Sequence, residues 1–131
     1  MQLKEWAIGF LKHKDLFTKQ ILGIEDNNNQ IIIKYKDRDV ILLIAPTLYD
    51  SIEDVKDHMV IVTANKKVNL DCLIQNWHNL KNSPDLTIYF VNPDSSKEQK
   101  WVLKPYLHNK IADEDNFRGG LLTLFESVDE S

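Results

Sequence analysis

The sequence predicts an α/β fold in which helices cover both faces of a mixed sheet. Three apolar runs support this prediction: residues 40–44, 59–62 and 86–91. None of them alternates between apolar and polar side chains, so they are typical of strands that are buried on both faces. Each run stops at a polar loop. Because ligands in such sheets bind beyond the carboxyl ends of the strands, these loops predict the position of a site.

The first half of the chain is predicted to form a helix followed by an antiparallel meander. Apolar residues at helical spacing predict a helix over about residues 2–13: Leu3, Trp6, Ala7, Phe10 and Leu11. Residues 20–25 and 30–36 predict two strands, and the Asp and Asn residues between them favour a tight turn. A second turn at residues 36–39 leads into the run that begins at Val40. Short segments joined in this way indicate hairpins.

The second half is predicted to alternate helices and strands. Leu48, Ile52 and Val55 predict a short helix before the second run. Asn69 is the predicted N-cap of a longer helix; one face of that helix carries Leu70, Leu73, Ile74, Trp77 and Leu80. We expect the flanking strands to be parallel. Residues 101–103 predict another strand and residues 117–128 a last helix, which the Gly119-Gly120 pair interrupts or starts.

Composition predicts one α/β domain over residues 1–131, with a frayed acidic tail from about residue 126. The net charge of −4 argues against broad electrostatic binding of DNA or of an anionic membrane. No apolar run approaches the roughly 20 residues of a membrane helix, and the amino terminus lacks the apolar core of a signal peptide. We therefore predict a cytoplasmic chain with no membrane partner.

Residues 104–113 form the predicted loop that most resembles a site. Lys104 or Lys110 could hold an anion, His108 could transfer protons near neutral pH, and Tyr106 adds an aromatic ring. The alternative is a capped loop in which Pro105 fixes the turn and Asp113 opens the last helix.

Asn65, Lys66 and Lys67 form a second predicted site, because they follow a buried strand and lie at the start of a helix whose amino end favours phosphate. The alternative is that Asn65 satisfies the turn and the lysines are solvated. The combined prediction for ligand or phosphate binding is Asn65, Lys66, Lys104, Tyr106, His108 and Lys110.

Basic residues occur in two clusters, one near each end of the chain. The early cluster is Lys4, Lys12, His13, Lys14 and Lys19; the late cluster is Lys97, Lys100, Lys104, His108 and Lys110. If the fold brings the clusters onto one face, they could contact phosphates. The alternative is two separate solvated faces.

The element order of residues 2–92 resembles the PD-(D/E)XK superfamily, the restriction-endonuclease-like fold. The resemblance implies an acid near one central strand and an acid-x-Lys motif on the next, which together hold a divalent metal. The corresponding strand here, residues 61–66, has no acid before Lys66. Asp39, at the start of the preceding strand, is a candidate metal ligand, and Glu5 either substitutes for the acid of the first helix or is a solvated charge.

We therefore predict a non-catalytic binding or assembly module, a degenerate nuclease-like domain that acts with a protein partner or with itself. No cofactor is predicted. The alternative is a metal-dependent nucleic-acid hydrolase that uses Mg²⁺ or Mn²⁺ at the carboxyl ends of the strands, built from Asp39, Asn65 and Lys66 or from the segment around His108.

Overall fold

A computed structural model describes residues 2–56, 58–111 and 116–131. Their strands form one six-stranded sheet: β1 Ile21–Asn27, β2 Gln30–Tyr35, β3 Asp39–Ile44, β4 Met59–Ala64, β5 Thr87–Val91 and β6 Lys100–Leu103. The strands lie in the sheet in their chain order. β1, β2 and β3 are antiparallel, β3, β4 and β5 are parallel, and β6 is antiparallel to β5. The predicted mixed α/β sheet is confirmed.

Helices lie on both faces of this sheet, as predicted. They are α1 Leu3–Lys14, α2 Lys67–Gln75, α3 Trp77–Leu80, α4 Pro105–Ile111 and α5 Phe117–Glu126, and two short 3-10 turns lie between β3 and β4. On one face, Trp6 and Ala7 of α1 pack against side chains such as Ile33 and Val62. On the other face, the remaining elements supply a larger core that includes Leu73 and Phe125. β5 is buried at every position, because both layers cover it.

The helix predicted to have Asn69 as its N-cap has Lys66 there instead, three residues earlier, so the N-cap prediction is wrong. Asn69 lies inside α2 and is fully buried. Its side-chain oxygen accepts a hydrogen bond from Leu48 N at 2.8 Å, and its amide donates to Ala64 O at 2.8 Å and to Pro46 O at 3.0 Å. The residue therefore joins the loop after β3 to the end of β4, a role that a local capping rule does not include.

The segment around His108 is a helix, so the prediction of a loop there is wrong. α4 begins at Pro105. Proline is favoured at the first helical position because its missing N–H would have no partner there. Asp113, the predicted start of the last helix, lies outside the described residues. The glycine pair does not interrupt α5 but occupies its first turn, after Phe117.

Candidate functional site

The parallel strands place the loops after β3, β4 and β5 at one end of the sheet. Asn65 follows β4 at this end and is fully buried. Its side-chain amide donates to the carbonyl oxygens of Phe125, Val128 and Asp129 at 3.0–3.3 Å, and its oxygen accepts a hydrogen bond from Trp101 Nε1 at 2.7 Å. These contacts use both N–H donors of the amide and one lone pair of its oxygen, so the buried side chain binds groups of the chain itself.

The carboxyl-terminal residues lie over the same end of the sheet. Ser131 N donates to Asn65 O at 2.9 Å, and Asn92 Nδ2 donates to Asp129 O at 3.0 Å. The Asp129 carboxylate accepts hydrogen bonds from the hydroxyl and the main-chain N–H of Ser96, both at 2.7 Å. These two bonds lower the pKa of Asp129. The tail that was predicted to fray is thus held by specific hydrogen bonds, which acidic composition alone does not reveal.

Lys66 is exposed beside Asn65, whereas Asp39 begins β3 at the opposite end of the sheet. Because Ile44 pairs with Val62, eight residue steps separate Asp39 from Asn65 along the strands, or about 26 Å at ~3.3 Å per residue. Asp39 therefore lies too far from Asn65 and Lys66 for the three residues to form the predicted hydrolase site. Among the described residues, no three His, Cys, Asp or Glu side chains gather as a metal site would require.

Four of the residues predicted to bind a ligand also lie away from Asn65 and Lys66: Lys104, Tyr106, His108 and Lys110. β6 runs from Lys100, which pairs with Val91, to Leu103, which pairs with Ile88, so the chain leaves the sheet at the far end. There His108 is half-buried, with its ring centroid 5.8 Å from that of Trp77 and 6.2 Å from that of Phe117. Burial lowers the pKa of His108.

Lys110 and Tyr106 form a local pair on α4, with the ammonium 4.2 Å from the ring centroid. Lys104 is exposed just before the helix. The six residues predicted to bind a ligand therefore divide into two groups at opposite ends of the sheet, and the fold does not combine them in one site.

The two basic clusters do meet in part. α1 lies next to the start of β6, where Trp6 Nε1 donates to Gln99 Oε1 at 3.1 Å. Lys14 from the early cluster and Lys100 from the late cluster both place an ammonium over the ring of Phe10, at 5.9 and 5.2 Å from its centroid. His13, Lys97 and Lys100 line a groove between α1 and residues 97–100, which Lys14 does not line.

Another surface feature, which the sequence analysis did not single out, is the free edge of β1. β1 pairs only with β2, so it forms one margin of the sheet. Beside it, three apolar side chains are exposed: Leu16 at 57%, Phe17 at 94% and Leu22 at 68%. We call these three residues the apolar patch. Leu16 and Phe17 follow the end of α1 at Lys14, and two adjacent apolar residues outside the predicted helix were the signal that the sequence offered.

Asp15 holds the patch in place where α1 ends. One carboxylate oxygen accepts hydrogen bonds from Gln20 N at 2.8 Å and Thr18 Oγ1 at 3.1 Å, and the other accepts one from Ile21 N at 3.1 Å. These bonds fix the connection from α1 to β1. Leu16 and Phe17 are therefore displayed on a constrained loop beside the edge strand.

The alternating hydrogen bonds of β2 show which N–H and C=O groups of β1 point away from the sheet. Lys36 N donates to Gln20 O and Tyr35 N to Arg38 O, so even-numbered residues of this strand face β1 and odd-numbered ones face β3. The partners of the even-numbered residues are Gly23, Glu25 and Asn27. The N–H and C=O groups of Ile24 and Asp26 therefore point outward, where another strand could pair with them.

The fold and the surface define an α/β chain with a mixed sheet. Its carboxyl-terminal residues cover part of one end of the sheet, beside a cavity of about 620 Å³ that Ile44, Ala64 and Asn92 line, and the edge of β1 is open. Comparison with protein-family models, with curated proteins and with solved structures finds no match for this chain. None of the helices within the described ranges has the length and apolar character needed to cross a bilayer.

Proposed function

We propose that the chain is an assembly module that pairs the free edge of β1 with β1 of a second copy. The observation that carries the proposal is the apolar patch beside outward-pointing main-chain groups. Exposed edge strands are templates for pairing, and natural proteins often protect them with charges, proline, β-bulges or a covering segment. β1 has charges and a bulge, but neither covers the apolar patch. Here the strand has seven residues and large apolar side chains stand next to it.

The charges along the edge suit antiparallel pairing of identical strands. Lys19 precedes β1, and Glu25 and Asp26 lie near its end. A two-fold axis between Leu22 and Gly23 would place Lys19 of one copy opposite Asp26 of the other. Both acids already contact lysines, Glu25 with Lys34 and Asp26 with Lys4, but about half of each acidic side chain stays exposed. Parallel pairing would place like charges together.

The middle of the strand supports close approach of a second backbone. Gly23 has no side chain, and a Cβ added there would meet nothing within 4 Å. A glycine inside a strand often marks a bulge or a close backbone approach. The pairing with β2 shifts register between Ile21 and Gly23, so a bulge is present at this point. A two-fold contact would bury the apolar patch of both copies.

Sedimentation velocity over a range of protein concentrations tests the proposal. We expect the unaltered chain to form dimers, and Leu22→Lys or Phe17→Lys to shift it to monomers. Burying a side chain of this size contributes about 1.5–3 kcal/mol, and a two-fold contact contains it twice. The dissociation constant should therefore rise at least 100-fold. The matched control is Leu107→Lys on α4, a leucine that is 52% exposed and distant from β1.

Amide hydrogen exchange tests the strand pairing itself. On dimerisation the N–H groups of Ile24 and Asp26 should become protected, while exposed amides of α4 should not change. A chain that stays monomeric at several hundred micromolar would contradict the proposal. So would equal dissociation by Leu107→Lys and Leu22→Lys, because the effect would then not belong to the edge.

The nuclease-like ancestry remains part of the proposal. One helix, three antiparallel strands and a fourth strand parallel to the third support the resemblance to the PD-(D/E)XK superfamily. The separation of Asp39 from Asn65 and Lys66 is the reason that we prefer the non-catalytic reading to the metal-dependent hydrolase.

A further inference from the structure

A cavity opens at the carboxyl ends of β3, β4 and β5. Its volume is about 620 Å³, which is in the range of small-ligand pockets. Its lining includes Leu3 of α1, the strand-end residues Ile44, Ala64 and Asn92, and Ser131. In α/β sheets this end is where ligands bind. We call residues 129–131 the strap, because they lie over the ends of β4 and β5 and bring Ser131 to the cavity.

The strap consists of polar residues, and hydrogen bonds hold it in place. Its contacts reach three parts of the chain: Asp129 O accepts from Asn92 Nδ2 at 3.0 Å, Ser131 N donates to Asn65 O at 2.9 Å and Glu130 Oε2 accepts from Lys67 N at 3.2 Å. Glu130 and Ser131 are exposed, and Asp129 is half-buried. Hydrogen bonds that water can replace each contribute little net stability, so the strap is held weakly.

Asp129 joins the strap to the turn between β5 and β6. Its carboxylate accepts hydrogen bonds from the hydroxyl and the main-chain N–H of Ser96, both at 2.7 Å, and the Lys97 ammonium lies 3.8 Å from it. Asp129 N also donates to Ser95 Oγ at 3.0 Å. We call these four contacts the clamp. Because hydrogen bonds to a charged group are stronger than those between neutral groups, the clamp contributes most to the closed position of the strap.

Val128, the residue before the strap, has different surroundings. It is 2% exposed and belongs to the same core as Phe125. Its carbonyl oxygen accepts a hydrogen bond from the buried Asn65 Nδ2 at 3.0 Å. Local opening occurs in segments that have exposed hydrogen bonds and few buried apolar contacts. These criteria place the boundary between the fixed chain and the weakly held chain between Val128 and Asp129.

We propose that the strap opens as a unit at Val128 and gates the cavity at the strand ends. In the closed position Ser131 forms part of the cavity wall. Opening releases the side-chain amide of Asn92 and the main-chain oxygen of Asn65 from their strap partners. A donor and an acceptor then lie beside an apolar wall, the combination by which small-molecule pockets orient a ligand. The gate does not depend on pairing through β1, because the strap lies at the end of the sheet and β1 at its margin.

Labelling with N-ethylmaleimide tests the gate. Ala64→Cys places a thiol in the cavity wall, and the native thiol of Cys72 is fully buried, so its labelling rate reports unfolding of the whole chain. We expect Asp129→Ala, added to Ala64→Cys, to raise the labelling rate at position 64 by about 10-fold or more, because it removes two hydrogen bonds to a charged group. The rate at Cys72 should stay unchanged. The matched control is Ser127→Ala, since the hydroxyl of Ser127 donates to Leu124 O and lies outside the clamp.

Amide hydrogen exchange tests whether the strap moves as a unit. The N–H groups of Asp129 and Ser131 should share one opening equilibrium, and Ser96→Ala, a milder change on the other side of the clamp, should lower the protection of both by the same factor. Equal labelling rates at position 64 in Asp129→Ala and Ser127→Ala would overturn the proposal. So would labelling of that thiol at the rate of a free cysteine while the clamp is intact, because the cavity would then need no opening.

Discussion

The carboxyl end of the parallel strands and the free edge of β1 have opposite properties. At the strand ends, Asn65 and Asn92 hold the last residues of the chain through buried or half-buried hydrogen bonds. At the edge, Leu22 and Phe17 are exposed and main-chain groups point outward. In many α/β proteins the strand ends carry the ligand site; here the last residues of the chain cover part of them, beside a cavity of about 620 Å³ that Ile44, Ala64 and Asn92 line. The comparison shows that position in a fold predicts where a site can occur and not whether it is free.

The largest expected effect concerns Asn65 at the strand ends. Asn65→Ala removes three donations to main-chain carbonyls and leaves the buried Trp101 Nε1 without its acceptor. Unsatisfied buried groups cost about 1–3 kcal/mol each, so we expect the free energy of unfolding to fall by at least about 3 kcal/mol in urea denaturation. The control is Asn82→Ala, where one exposed bond to His78 O is lost and the change should stay below about 1 kcal/mol. Similar losses in both variants would mean that Asn65 is no more important than a surface amide.

A smaller effect should depend on pH. Burial against Trp77 and Phe117 lowers the pKa of His108 below its ordinary value of 6.5, so the folded chain favours the neutral ring. Stability from this residue is complete above pH 6.5 and decreases as the pH falls from there toward the lowered pKa, because the unfolded chain takes up the proton first. His108→Phe should flatten the pH dependence of the unfolding midpoint between pH 7 and 5. An unchanged slope in this variant would show that the dependence comes from other groups.

The smallest effect is expected at the open edge. Phe17→Ser should change the stability of the monomer by less than about 0.5 kcal/mol, because the side chain is 94% exposed and has little packing to lose. Thermal unfolding at a concentration where the chain is monomeric measures this change. A large destabilisation would indicate that Phe17 packs within its own chain, which would weaken the case for assembly. A small change in stability together with loss of dimerisation would instead support the contrast between the exposed Phe17 and the buried Asn65.

The candidate sites were less predictable than the strands. The predicted loop at 104–113 contains a helix, because Pro105 serves as well at a helix start as in a turn. His108 and Lys110 lie far from Asn65 and Lys66 because β6 runs antiparallel to β5 and leads the chain to the other end of the sheet. Only part of the expected meeting of basic clusters occurs, through Lys14 and Lys100, since β6 carries Lys104 to the other end of the sheet.

The sequence alone determined the fold class and most of the strand positions. Apolar runs and turn residues determine strands and turns over a few neighbouring positions, and the burial of the runs follows from their local pattern. The tertiary structure decided which polar groups form hydrogen bonds within the chain and which surfaces stay exposed. The hydrogen bonds of Asn65 reach residues 36 to 64 positions away, and the groove joins α1 to residues 97–100. Partners so distant are brought together only by packing of the whole chain, and no local spacing encodes them.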